Sequence, residues 1–185
     1  MRSLHMNTER AHTLHTIDAG RCYQCAVISI STSRFERYGS AKAPEEAEDV
    51  SGRIIIELLT KAGYNLRGYT LVSDEADAII DAILADINDA DVIITTGGTG
   101  LAPRDLTIET VQQMTQKEIP GFGELFRHLS YKEIGSSAML SRASGGIIEK
   151  TAVFCLPGSP NAVRLAMEAL ILPQLPHIML HACEK

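Results

Sequence analysis

The chain has 185 residues, 45% of them hydrophobic and 22% charged, which suits one domain with a substantial core. A net charge of -6, no Trp, four Phe and five Tyr exclude a broad basic or base-stacking surface, so no nucleic-acid partner is expected. No apolar run reaches the roughly 18–20 residues of a membrane span and the N-terminus lacks the apolar core of a secretion signal, so a cytoplasmic protein with no membrane partner is expected.

Residues 1–20, MRSLHMNTERAHTLHTIDAG, show no periodicity that would bury a face, and they read as a flexible extension. His5, His12 and His15 are irregularly spaced there and read as solvated, with a single domain expected over 21–185. Cys22 and Cys25 form a C-x-x-C, but residues three apart on a strand point to opposite faces. Cys155 and Cys183 complete no zinc set of the usual spacing, so reduced, structural cysteines are expected.

CAVISIS, Cys25 to Ser31, is rich enough in Val and Ile for a buried strand, and SRFERYGSAKAPEEAED reads as the polar loop after it. DVSGRIIIELLTKAG carries apolar residues at helical spacing and closes on Gly63; Tyr64 to Val72 is a second strand. Ser73 or Asp74 would cap a helix from about Glu75 to Ile87, with Ala78, Ile79, Ala82, Ile83 and Ile87 along one side. Asp91 to Thr96 is a third strand. Thr107 starts the next helix, IETVQQMTQKE, which Pro120-Gly121 breaks before FGELFRHLSYKEI. SRASGGIIEKTAVFCLP gives two β runs joined through Glu149 and Lys150. Ser159 or Asn161 would open the closing helix, AVRLAMEALILPQL, with Pro173 and Pro176 marking its end.

Strands separated by helices of this length imply right-handed crossovers, hence a three-layer α/β/α sandwich around a mostly parallel central sheet. Ligands in such folds bind outside the carboxyl ends of the strands. Three loops are therefore expected in one crevice: Val72-Ser73-Asp74, Gly97 to Asp105, and Leu156 to Asn161.

The middle loop, in TTGGTGLAPRD, has neither the Lys of a G-x-x-x-x-G-K-[ST] phosphate loop nor the G-x-G-x-x-G spacing of dinucleotide folds. Alone, Gly97, Gly98 and Gly100 fit a tight strand-to-helix turn and a backbone cradle for phosphate equally well. Asp74 and Asp105 each sit just past a strand end. Each could be a helix cap, and together they could share a Mg²⁺ ion with substrate phosphates.

The order TTGGTGLAPRDLTIE, IPGFGELFR, AMLSRASGGI and LPGSPNAV, from about Cys25 to Leu175, resembles the MoaB/MogA family of molybdenum-cofactor biosynthesis proteins. The resemblance implies the three-layer fold, a homotrimer or homohexamer, and binding of molybdopterin. In the family's adenylyltransferase branch it implies transfer of AMP from Mg-ATP to the molybdopterin phosphate, releasing pyrophosphate. Residue by residue, Asp74 and Asp105 match the acidic positions linked to catalysis and Mg²⁺, and Thr99 matches the loop threonine. Gly97, Gly98 and Gly100 would shape that loop, while Ser141, Gly158, Ser159 and Asn161 match positions lining the pterin and phosphate pocket. Glu124 falls near the site, and Asp49-x-Ser51-Gly52 resembles the family's acidic-x-Ser-Gly before the first helix. One departure matters: adenylyltransferase-type members usually carry Ser-Asp after strand one, whereas this chain reads SISTSRFERYG, and Arg34 resembles the MoaB branch. A molybdopterin carrier without turnover is therefore an alternative. A CinA-like nicotinamide-nucleotide amidase is a remoter one, disfavoured by GGTG with Arg104 ahead of a single Asp105.

Overall fold

The computed structural model describes residues 22–183, so the expected extension and its three histidines lie outside the described residues. The chain runs β1 (Gln24–Ile30), α1 (Thr32–Tyr38), a 3-10 turn (Pro44–Ala47), α2 (Val50–Lys61), β2 (Asn65–Val72), α3 (Ala76–Asp86) and β3 (Val92–Thr96). It continues through α4 (Thr107–Met114), β4 (Lys117–Glu118), α5 (Pro120–Ile134), a 3-10 turn (Gly135–Leu140), β5 (Ser144–Ile148) and β6 (Thr151–Leu156). A long last helix comprises α6 (Pro160–Ala166), a π turn (Met167–Ile171) and α7 (Leu172–Cys183).

The strands form one sheet in the order β2-β1-β3-β6-β5-β4. β2, β1, β3 and β6 are parallel, while β5 runs antiparallel to both β6 and β4. Successive side chains of a strand face opposite sides, so a strand between two helical layers is apolar throughout. Val27, Val92, Ile94 and Phe154 pack on one side with Ile55, Leu59, Met167 and Ile171. Ile28, Ile30, Ile93 and Val153 pack on the other with Ile79, Ile83 and Val111. The α/β/α sandwich is thus present, with a mostly parallel sheet.

Four local expectations are corrected. The polar loop after β1 contains α1, because Ser31 caps it through Oγ, which accepts from Arg34 N, and Gly39 ends it at φ 69°. Neither Ser73 nor Asp74 caps α3: the N-cap is Glu75, with no side-chain bond. The break at Pro120 holds a two-residue edge strand, β4, and Pro120 starts α5, where a missing N–H costs nothing. Pro173 and Pro176 do not end the last helix. The π turn widens it just ahead of Pro173, where a proline ring would otherwise press on the carbonyl four residues back.

That helix, Pro160–Ala182, is long and apolar enough to cross a membrane by length and composition, with a mean hydropathy of 1.2, contrary to the expectation from run lengths. Its Val163, Ala166, Met167, Ile171, Leu175 and Met179 recur at helical spacing and are completely buried. The apolar stripe is the face by which this helix packs into the core.

Candidate functional site

β1 sits between β2 and β3, so the chain leaves β1 toward one side and returns on the other. Such a reversal opens a crevice at the carboxyl ends of the strands. Here the crevice has a volume of about 640 Å³ and is bordered by the ends of β1 and β3 and the loops after them.

The glycine loop after β3 is built by conformation and close approach. Gly97 (φ 99°) and Gly98 (φ 60°) take left-handed backbone angles, which favour glycine. A β-carbon on Gly97 would strike the Ile30 carbonyl, and one on Gly98 would strike Asp74 Oδ1 and Thr107 Oγ1. Gly97 N–H donates to the Leu156 carbonyl (3.0 Å), Thr107 N–H to the Gly98 carbonyl (3.0 Å) and Thr107 Oγ1 to the Gly97 carbonyl (2.9 Å). These bonds tie the loop to β6 and to the start of α4. They also take Gly97 N–H out of any cradle, whereas the N–H groups of Gly98, Thr99 and Gly100 meet no acceptor among the described residues. The second glycine loop touches the first, since a β-carbon on Gly158 would stand 3.4 Å from Gly97 Cα.

Asp74 N–H donates to Thr32 Oγ1 (3.1 Å), and its carboxyl Oδ1 is buried with no hydrogen-bond partner. Burial raises the Asp74 carboxyl above the ordinary range, and the charge of Asp105 adds to this; a Thr32 backbone contact and Arg104 oppose it. Asp105 Oδ2 accepts from Ala102 N–H (2.9 Å), while its own N–H donates to the Ala102 carbonyl (2.9 Å). Asp105 is a latch on this turn, and no side chain caps α4.

Asp74, Asp105, Gly97, Gly98, Thr99, Gly100, Ser51, Ser141, Gly158 and Ser159 all line the crevice. Two expected residues do not. Ser159 is the N-cap of α6, accepting from Ala162 N–H, so Asn161 is already the second residue of the helix; it faces Arg164 and Glu168 in another depression. Glu124, on α5, lines a hollow of about 230 Å³ with Glu118 and Arg127.

The crevice also contains residues not assigned to it from the sequence: Ser31, Thr32, Ser33 and Arg34 after β1, with Arg142, while Arg104 lies there as part of the expected Gly97 to Asp105 loop. The signal was available for the first four, because the loop after any strand of a parallel sheet opens on the same edge. Arg142 donates to the Gly100 carbonyl (3.3 Å) and pairs with Glu109, bracing the glycine loop. Arg34 and Arg104 form no ion pair among the described residues.

No group of three or more His, Cys, Asp or Glu gathers among the described residues. A zinc-type cage is thus missing there, but Mg²⁺ asks less: one or two carboxylates, with water and substrate phosphates completing the octahedron. Asp74 and Asp105 fit that demand, and the orphaned Asp74 Oδ1 is an acceptor in want of a cation or donor.

The architecture is that of a doubly wound α/β domain with a polar crevice at its switch point. Residues 26–177 match the family described as a probable molybdopterin binding domain. The chain belongs to the MoaB/MogA family of molybdenum-cofactor biosynthesis proteins. It is 48% identical over 169 residues to molybdenum cofactor biosynthesis protein B of Bacillus cereus, covering 90% of this chain and 94% of that one. A solved molybdenum cofactor biosynthesis protein B superposes with a TM-score of 0.78 at 47% identity, over 88% of this chain and 96% of the other. The tungsten cofactor synthesizing protein MoaB from Pyrococcus furiosus gives a TM-score of 0.79 at 38% identity, over 89% and 99%.

Proposed function

We propose that this chain, which has a role in molybdenum-cofactor biosynthesis, binds molybdopterin in the crevice and adenylylates it with Mg-ATP. The observation that carries this reading is the meeting of two aspartates, one with an unpartnered buried oxygen, with the unpaired N–H groups of Gly98, Thr99 and Gly100. Metal-holding acceptors and phosphate-holding donors on one wall suit a reaction between phosphates.

The molybdopterin phosphate is itself an anionic nucleophile, so no strong general base is required. Its oxygen attacks the α-phosphorus of ATP, the bond from that phosphorus to the bridging oxygen breaks, and pyrophosphate leaves with the electron pair. Asp74 and Asp105 would hold the magnesium ion, which neutralises phosphate charge when bound. The chain's own contribution is position: backbone donors of the glycine loop orient phosphate oxygens, and Arg34 and Arg104 offer positive charge to the triphosphate and pyrophosphate. Ser141, Gly158 and Ser159 border the place left for the pterin.

A second reading, a molybdopterin carrier without turnover, is favoured by the loop after β1, where Arg34 enters the crevice and the Ser-Asp of adenylyltransferase-type members is missing. Asp74→Ala and Asp105→Ala separate the two. Adenylylation requires both variants to retain molybdopterin while AMP transfer falls by at least about 100-fold; binding without product in the unaltered protein leaves only the carrier.

We propose also a homotrimer or homohexamer in the cytoplasm. Leu125, Tyr131, Ile134, Met139 and Leu140, along α5 and the 3-10 turn after it, are each more than half exposed, a stretch that supports self-association. Light scattering at micromolar concentration tests it, and a monomeric mass would remove it.

A further inference from the structure

The second glycine loop is held by a chain of side chains that begins outside the crevice wall. Tyr69, on β2, donates its hydroxyl to Asp49 Oδ2 (2.9 Å). Asp49 is the N-cap of α2, and its Oδ1 accepts from Ser51 N–H (3.1 Å). Ser51 Oγ in turn donates to the Gly158 carbonyl (2.8 Å), 107 residues further along the chain. All three side chains are buried, each 3% exposed. Gly52 leaves them room: a β-carbon there would overlap Asp49 Oδ2 and press on the Tyr69 ring at 2.7 Å. This space requirement accounts for glycine after Asp49-x-Ser51.

A peptide unit is planar and trans, so fixing the Gly158 carbonyl also fixes the Ser159 N–H on the opposite edge of the same plane. Ser159 N–H meets no acceptor among the described residues, and both Gly158 and Ser159 line the crevice. We infer that Tyr69 and Asp49 are positioning residues which, through Ser51, hold the Gly158–Ser159 peptide as a preoriented hydrogen-bond donor for the anionic ligand of the crevice. The inference rests on the molybdopterin reading for the identity of that ligand, and on geometry alone for the relay. Burial and the nearby Asp49 charge push the Tyr69 hydroxyl well up, so it remains a donor throughout the ordinary pH range.

Members of a relay act in series, so removing a second link after the first should cost nothing more. The test uses the full chain and the variants Tyr69→Phe, Ser51→Ala and the double variant, with two readouts. The first is the backbone order parameter of the Ser159 amide without ligand, expected near about 0.85 in the unaltered protein and toward about 0.6 in each variant. The second is molybdopterin affinity, expected to fall about 3- to 10-fold in each single variant and no further in the double. An unchanged Ser159 order parameter, or affinity losses that multiply in the double variant, would overturn the relay. If the unaltered protein does not bind molybdopterin, the proposed function fails, and the order parameters still decide the relay.

Discussion

Asp74 Oδ1 and the α-carbon of Gly98 occupy adjoining space so closely that a β-carbon on Gly98 would overlap the carboxyl oxygen. The corner of the glycine loop and the placement of the acidic group are therefore one structural fact. A left-handed Gly98 lets the loop turn, and the missing side chain lets Asp74 approach the backbone that lines the crevice.

Gly98→Ala tests this directly. The substitution adds a strained backbone conformation to collisions with Asp74 Oδ1 and Thr107 Oγ1, and it should cost about 2–4 kcal/mol of stability. Urea unfolding monitored by circular dichroism measures it. A loss below about 0.5 kcal/mol would mean that the loop is not held as described.

Asp74 predicts a pH dependence. Its carboxyl is raised in the folded protein, first by burial and then by Asp105, so the folded state binds its proton more tightly than the unfolded state does. Stability from this group is therefore lost as pH rises from the ordinary aspartate range through the raised value. Asp74→Asn should be more stable than the unaltered protein at neutral pH, with the gain vanishing under acid conditions where both states are protonated. Thermal melts across pH, without added magnesium, decide it; a variant less stable at neutral pH would contradict the assignment.

Arg34 and Arg104 have no ion-pair partner among the described residues and face the crevice. Changing either to Ala should weaken phosphate-bearing ligands about 10-fold at low salt, with a smaller loss at high salt. Titration with ATP at two ionic strengths reads this out, and an equal loss at both would point to packing.

Cys22, Cys25 and Cys155 differ in exposure, which predicts a difference in reactivity. Cys22 is exposed, while Cys25 and Cys155 are buried. Burial, with the charges of Asp91 and Cys22, pushes the Cys25 thiol up to about 12, and burial raises Cys155 as well. Peptide mapping after alkylation of the native protein should show Cys22 modified, with Cys25 and Cys155 modified only on denaturation.

The central fold was legible because β1, β3 and β6 are buried on both faces, and short continuous Val/Ile/Thr runs suit a strand covered by helices on either side. The glycine loop was legible as a special turn, but its division of labour was not. That Gly97 spends its N–H on Leu156 while Gly98, Thr99 and Gly100 keep theirs depends on a β3–β6 pairing between distant segments. α1 was missed because one Ser31 cap organises a stretch whose composition reads as a loop. Asn161 was misplaced for a related reason: either Ser159 or Asn161 can cap a helix, and choosing Ser159 turns Asn161 away from the crevice. Arg142, just ahead of β5, reaches the glycine loop by a contact across 42 positions that no local pattern announces.

The most direct measurement is transfer of label from ATP carrying ³²P at the α-phosphate. The protein is incubated with molybdopterin and Mg²⁺, and adenylylated pterin and pyrophosphate are quantified together. Adenylylation predicts label on the pterin, pyrophosphate in equal amount, and loss of both in Asp105→Ala with molybdopterin binding retained. Molybdopterin bound with no label transferred would contradict it and leave this crevice as a carrier's pocket.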